Sequence, residues 1–182
     1  MKINRWYLAF LGLLVLFIFY PKDKTTLPSP LETDKQDSDY YMKGVVIHLY
    51  DKDGRQLSQL KSVKLAHFKH QDQSLLEAPV IRLNQADGSL WQLQAEKGKI
   101  IKHKHQIELI DQVAVKEILQ QQVSTQIDTQ YLLIDLENTT ATTDDPITIS
   151  HQYYQTRSIG MDMDFKNNII NLNRKVVTEK TP

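Results

Sequence analysis

The sequence predicts an all-β fold that follows a single N-terminal membrane helix. From Tyr40 onward, apolar and polar residues alternate with period two, and turn pairs such as Asp53-Gly54 and Asp87-Gly88 separate the alternating segments. No segment after Tyr20 sustains the 3.6-residue period of a helix over three turns. Short strands with regular turns are typical of a sandwich, a barrel or a jelly roll, and the periodicity alone leaves these three open.

An unbroken apolar run, residues 6–20, opens the chain. Its length corresponds to roughly 22 Å of helix, against a hydrocarbon core about 30 Å thick. Lys2, Arg5, Lys22 and Lys24 flank the run and can extend their amines outward. A cleaved signal peptide is the alternative, but cleavage requires small residues, and this run ends in "FIFYPKDK". The pattern favours an uncleaved anchor, and the positive charge before it predicts a cytoplasmic N-terminus.

These features predict three regions. Residues 1–21 form the cytoplasmic N-terminus and the transmembrane anchor, and residues 22–39 form a polar, proline-bearing linker. Residues 40–182 form an exported β domain. The predicted localisation is therefore the cell inner membrane, spanned once, with the C-terminal domain in the periplasm.

The first strands each place apolar side chains on one face. "GVVIHLYDKDGRQLSQL" aligns Val45, Ile47 and Leu49 and then turns at Asp53-Gly54. "SLLEAPVIRL" contains Leu76 and is interrupted at Pro79, which favours an edge position or a bulge. "SLWQLQAEKGKI" aligns Trp91 with Leu93.

The later strands repeat the pattern. "HQIELIDQVAVKEI" aligns Ile107 with Leu109 and, after a break at Asp111-Gln112, Val113 with Val115. "VAVKEILQQQV" holds either a helical turn or a strand that continues into a long loop, so the register over residues 117–130 stays open. Further strands align Leu132 with Ile134, Met161 with Phe165 and, after a turn at Asn167-Asn168, Ile170 with Leu172.

The composition and the motifs predict no enzyme, cofactor or metal site. Lys+Arg and Asp+Glu both number 22, which argues against a polyanion binder that works by bulk charge, and the absence of cysteine excludes thiolate chemistry. His103 and His105 share a face if their segment is extended, but no further ligand has matching spacing, so we interpret them as solvated strand residues. Asp144-Asp145 before Pro146 is interpreted as a turn rather than an acid–base pair.

A set of motifs along the whole chain resembles the LptC family. The motifs are "YDKDG", "APV", "DGSLWQLQAEKGKI", "IELIDQVAV", "TQYLLIDLENTTATTDDPITI", "GMDMDF" and "NLNRKV". The resemblance implies a twisted, open β-jelly roll of the OstA/LptA type, whose two sheets leave an apolar groove. It also implies a lipopolysaccharide carrier that accepts its ligand from an inner-membrane ABC transporter, with LptF/LptG-like subunits and the LptB ATPase. The carrier then passes its ligand to the periplasmic bridge protein LptA.

The groove candidates are the inward alternates of the predicted strands. They are Ile47, Leu49, Leu76, Trp91, Leu93, Leu109, Val113, Val115, Leu132, Ile134, Met161 and Phe165. The same residues would fill any sandwich core, and we expect Ile47 and Leu76 to lie nearest the margins where a groove opens.

The edge strands are the candidate partner surfaces, because an open edge accepts another strand. The segment "NNIINLNRKVVTEK" is expected to pair with the bridge protein around Ile170, Leu172 and Lys180, while the first strand faces the transporter. Two other interpretations remain at this point: an anchored envelope scaffold with a closed core and no lipid, and an anchored cell-wall hydrolase. The hydrolase would need converging carboxylates or a nucleophile, and no such spacing occurs.

Overall fold

The computed structural model describes residues 38–85 and 88–180, which belong to the compact unit Asp37–Pro182. The predicted anchor and most of the predicted linker lie outside the described residues. Within these two ranges, no helix is long and apolar enough to cross a membrane.

Eleven strands form one antiparallel sheet, and two single-turn 3-10 helices, Lys69–Gln71 and Lys102–Lys104, are the helical elements of the described ranges. The strands are β1 (Tyr40–Tyr50), β2 (Gln56–Phe68), β3 (Gln73–Glu77), β4 (Val80–Asn84), β5 (Leu90–Gln94), β6 (Lys97–Ile101), β7 (Gln106–Leu119), β8 (Gln122–Asp135), β9 (Thr140–His151), β10 (Tyr154–Asp164) and β11 (Ile169–Lys180). The all-β prediction is confirmed, and the architecture is consistent with a β-jelly roll.

The sheet is a sequential meander. β3 and β4 together pair with β2 in one continuous register, and they pair in the same way with β5 and β6. Strands β5 and β6 pair with successive parts of β7, and β7 through β11 follow in chain order. When β3–β4 and β5–β6 are each taken as one bent strand, the strands follow chain order across the sheet, which leaves β1 and β11 as its two ends.

A line of irregularities crosses the sheet at the middle of the strands, and we call it the bend line. Gly44, Ala78, Asp111, Gly160 and Lys175 have positive φ on this line. The Ala78 N–H donates to Glu96 O at 2.8 Å, and the Glu96 N–H donates to Asp111 O at 3.0 Å, so the irregular positions are adjacent across the sheet. Bulges of this kind bend strands sharply and increase their twist.

The bend line divides the sheet into two halves. The β3–β6 half contains β3, β6 and the adjoining parts of the long strands, and the β4–β5 half contains β4, β5 and the remaining parts. The inward side chain changes from odd to even positions at the line: Leu93 and Ala95 are buried before it, and Gly98 after it. Each strand has one residue more at the bend than strict alternation requires. The inward side chains of both halves therefore face the same core.

The core lies between the two halves. Its largest fully buried side chains include Trp91, Phe165, Leu93, Leu109, Ile127, Leu132 and Met161. Gly98 lies close to two core side chains, since a Cβ there would lie 3.1 Å from Pro79 Cγ and 3.3 Å from Leu76 Cδ1 and would require one of them to shift. Burial of this apolar face contributes about 25 cal/mol per Å² removed from water, so the fold is stabilised mainly by its interior.

The two halves also meet on the side opposite the bend line. We call this opposite side the mouth. Trp91 lies near the start of β5, and Phe165 directly follows β10, so both are far from the bends of their strands. Their rings pack edge to face with centroids 5.8 Å apart. The Trp91 Nε1–H donates to Asn168 Oδ1 at 3.1 Å, which joins β5 to the β10–β11 turn.

The bounds and pairings of the strands test several of the local predictions. Pro79 lies at the bend between β3 and β4, inside the sheet, so the predicted interruption of the strand is confirmed and the edge position is wrong. The pairings on both sides of Pro79 keep one register, so the interruption is a bend rather than a bulge. The segment "VAVKEILQQQV" is strand on both sides of a tight turn at Gln120 and Gln121, with no helical turn.

Two further predictions are wrong. Asp144 and Asp145 lie within β9 rather than in a turn, because the bend line crosses β9 just before Pro146 and can accommodate proline there. His103 and His105 are not on an extended strand face. His103 lies in the second 3-10 helix, and His105 follows it with a φ of 51°.

Candidate functional site

The inner face of the β4–β5 half carries an unbroken apolar row across seven strands. Cross-strand neighbours connect Ile47, Leu60, Ile81, Leu93, Val115, Ile127 and Ile149. Strands lie about 4.8 Å apart, so the row extends roughly 29 Å. Its middle members are fully buried, with Leu93, Val115 and Ile127 all 0% exposed. Its first member, Ile47 on β1, is 46% exposed.

A second row on the β3–β6 half has the same character. It connects Met42, Leu65, Leu76, Gly98, Leu109 and Leu132. Leu109 and Leu132 are fully buried, whereas Met42 on β1 is 44% exposed. Both apolar rows therefore run from the buried interior to an uncovered end on the same strand.

The inward face of β1 forms an open apolar margin. Val45 is buried, but Met42, Ile47 and Leu49 are exposed, although they belong to the face that turns inward. The positive φ of Gly44 allows the strand to bend between Met42 and Val45 while both side chains stay on this face. We call Met42, Val45, Ile47 and Leu49 the β1 margin.

The predicted groove residues divide into two groups. Ten are buried in the interior: Leu76, Trp91, Leu93, Leu109, Val113, Val115, Leu132, Ile134, Met161 and Phe165. Ile47 and Leu49 instead lie at the β1 margin, because within residues 38–85 and 88–180 no strand continues the sheet beyond β1 to cover them. Thus Leu76, which we expected near an opening, packs at 3% exposure inside the fold.

Sequence reasoning missed several inward residues. Leu60 and Ile81 stand beside the Pro79 bend, where the alternation shifts, and Ile127 lies in the polar stretch whose register was open. The sequence does not identify Asn168 as the partner of Trp91. The general rule that a buried indole N–H needs an acceptor predicts that a partner exists, but not which residue it is.

The opposite margin, on β11, differs from the β1 margin. Ile170 and Leu172 are half-buried and pack against the core. From Asn173 to Lys180 every side chain is exposed, although the backbone still pairs with β10. The predicted partner strand thus has an N-terminal part tied to the core and a C-terminal part that contributes little to it.

In the described ranges, buried hydroxyls such as those of Ser62 and Thr129 lie at the bend line between the apolar rows, and the charged groups lie outside the rows. A depression of about 520 Å³ on the outer face is lined by polar residues that include Gln94, Gln126 and Asp128, together with the small Ala114. His103 Nδ1 lies 3.6 Å from Asp72 Oδ2, in an exposed pair at the turns. No group of three His, Asp or Glu residues within residues 38–85 and 88–180 could hold a metal ion.

The comparison with protein families places this geometry in a known context. The family model described as "Lipopolysaccharide-assembly, LptC-related" matches residues 6–180. The chain belongs to the LptC family. LptC proteins are components of lipopolysaccharide transport, so this chain is a lipopolysaccharide-transport component of the cell envelope, and lipopolysaccharide is its supported ligand. No match was found among curated proteins.

An apolar site without reactive side chains is consistent with membership of a lipid-transport family. The apolar rows and the β1 margin present hydrocarbon surface without titratable side chains. Such a surface can shield acyl chains from water, since each methylene that is kept from water is worth about 0.8 kcal/mol.

Proposed function

We propose that this chain is a non-enzymatic lipopolysaccharide carrier of the inner membrane. It receives lipopolysaccharide from an ABC transporter with LptF/LptG-like subunits and the LptB ATPase, and it transfers the lipid to LptA. The N-terminal anchor holds the carrier at the membrane. Energy comes from the transporter, because a passive apolar surface supplies none.

The continuity between the β1 margin and the buried rows is the observation that carries this proposal. An acyl chain at Ile47 and Leu49 would cover side chains that are 46% and 57% exposed. From there, the row through Leu60 and Ile81 leads into the interior without a polar interruption. The β1 margin is therefore the site of first contact with the acyl chains.

A membrane-anchored scaffold without a lipid ligand is the second candidate function. One observation favours it: the interior is filled by its own side chains, with Leu93, Leu109 and Leu132 all 0% exposed. Under this alternative the β1 margin would be covered by protein rather than lipid.

A photo-crosslinking experiment distinguishes the two functions. We expect a photoreactive residue at Ile47 to capture lipopolysaccharide in cells, because that side chain faces the apolar rows. Val46 is the matched control, since it is similarly exposed at 50% but points to the opposite face of the same strand. Capture at Ile47 and not at Val46 supports the carrier. Capture of protein alone at Ile47 would reject the carrier in favour of the scaffold.

A further inference from the structure

The interior raises a question of entry for the acyl chains. Trp91 and Phe165 are 2% and 0% exposed, and the row residues behind them are equally covered. An acyl chain that leaves the β1 margin for the interior must separate the two halves at some point. The bend line cannot open, because there the halves are joined by the continuous backbone of the strands and by hydrogen bonds such as Ala78 N–H to Glu96 O.

The mouth is the side where separation is possible, and Trp91 is the residue that crosses it. Its ring packs on Phe165, and its Nε1–H donates to Asn168 Oδ1 across 77 residues of sequence. Asn168 is held in the left-handed region, with a φ of 53°, by its place in the β10–β11 turn. This contact consists of side chains alone, so it can break without loss of any sheet hydrogen bond.

We propose that Trp91, Phe165 and Asn168 form a closure that opens to admit acyl chains between the two halves. The inference rests on the proposed carrier function and specifies how its site is regulated. In the closed state the indole seals the interior. In the open state Trp91 leaves the β10–β11 turn, and the apolar rows become accessible from the mouth as well as from the β1 margin.

The experiment first measures opening without any lipid. The full chain has two tryptophans, Trp6 and Trp91, so W6F makes Trp91 the single indole reporter. In this background we expect N168G to increase acrylamide quenching of Trp91, because glycine keeps the backbone conformation but removes the acceptor. N138G is the control for loss of a turn asparagine side chain, since the Asn138 amide donates to Asp135 within its own turn and not to Trp91. Equal quenching in N168G, N138G and the parent would overturn the closure.

The second measurement is the initial rate of lipopolysaccharide capture by a photoreactive residue at Val115, which lies in the apolar row at 0% exposure and is reached by lipid only after the two halves separate. In N168G we expect a rise of about two- to tenfold, the population change that corresponds to one lost hydrogen bond of ordinary net strength. N168D keeps an acceptor and is expected to capture no faster than the parent. Increased quenching with unchanged capture would also overturn the proposal, because opening at the mouth would then not admit lipid.

The two failures are distinguishable. If neither the parent nor N168G captures lipopolysaccharide at the exposed Ile47, the carrier function fails. If the parent captures lipid and N168G behaves identically in both measurements, only the closure fails.

Discussion

Buried hydroxyl groups satisfy the irregular backbone at the bend line. Ser62 Oγ lies 2.7 Å from Lys64 O and 2.8 Å from Glu77 O, and Ser158 Oγ lies 3.1 Å from Arg174 O. Thr129 Oγ1 donates to Pro146 O at 3.2 Å. Carbonyls that lose their ladder partners at a bulge are expensive to bury, so these small side chains make the bend compatible with a dry interior.

Gly160 is the residue at which the bend is most restrictive. Its φ is 80°, and a Cβ would lie 3.1 Å from Asn173 Nδ2 and 3.3 Å from the Thr143 carbonyl oxygen, which belongs to backbone and cannot move aside. Gly54 has a similar φ of 81° but open space around it. Comparing substitutions at Gly54 and Gly160 therefore distinguishes the effect of backbone strain from the effect of crowding.

We predict that G160A lowers the free energy of unfolding more than G54A does. In both variants, placing a non-glycine residue in the left-handed region lowers the free energy of unfolding by about 1 kcal/mol. G160A pays at least about 1 kcal/mol more, because the added methyl overpacks the bend. Urea denaturation of the two variants measures the difference. Equal destabilisation would mean that the bend tolerates a side chain at Gly160.

At the scale of elements, the two parts of β11 differ in how they contact the core. Ile170 and Leu172 hold its beginning against the core, while its end is exposed and lies at the edge of the sheet. A strand whose second part is dispensable for the core can pair with a partner without a loss of stability.

We predict that truncation after Arg174 abolishes binding of LptA and leaves transporter association intact. The truncation removes Val176, Val177 and Lys180 from the edge but keeps Ile170 and Leu172 in place. Co-purification of LptA and of the transporter subunits from membranes measures both interactions. A longer truncation, after Asn168, is the comparison that also removes the core contacts. LptA binding that survives both truncations would contradict the assignment of β11 as the partner edge.

The sequence predicted the elements well where alternation was regular and less well at the bend line. The strands that contain Trp91, Leu109 and Leu132 follow period two, and their inward residues were correct. The bend shifts the alternation by one residue, so Leu60 and Ile81 were missed and Asp144-Asp145 was taken for a turn. The exposure of Ile47 could not be predicted, because it depends on which strand ends the sheet and not on any local pattern.

At the scale of the whole molecule, aspartates at the strand ends tie the hairpins together. The Arg55 N–H lowers the pKa of Asp51, and the Asn138 N–H lowers that of Asp135. Asn167, mainly through its side-chain amide, lowers the pKa of Asp164. These three carboxylates lie in the turns β1–β2, β8–β9 and β10–β11, on both sides of the bend line.

We predict that the domain loses stability in acid through these turns. A carboxylate whose folded pKa is depressed stabilises the fold fully above its unfolded pKa of about 3.9, and this contribution is lost as the pH falls through the folded pKa. Thermal unfolding from pH 6 to pH 3 should therefore show a steep fall below about pH 4. The variant D51N/D135N/D164N should flatten that fall. D53N, at a carboxylate 3.8 Å from Arg55, is the control, and equal pH profiles for both variants would contradict the prediction.

Each apolar row takes one residue from every strand that it crosses. The length of a row therefore increases with the number of hairpins in the meander. When β3–β4 and β5–β6 are each counted as one bent strand, each strand pairs only with the strands before and after it in the chain. The similar turns "FKHQDQ" and "IKHKHQ" are what duplication of such a unit would leave behind. An apolar row of this kind can be lengthened within one gene, and under the proposed carrier function it can be continued by a second polypeptide of the same cross-section.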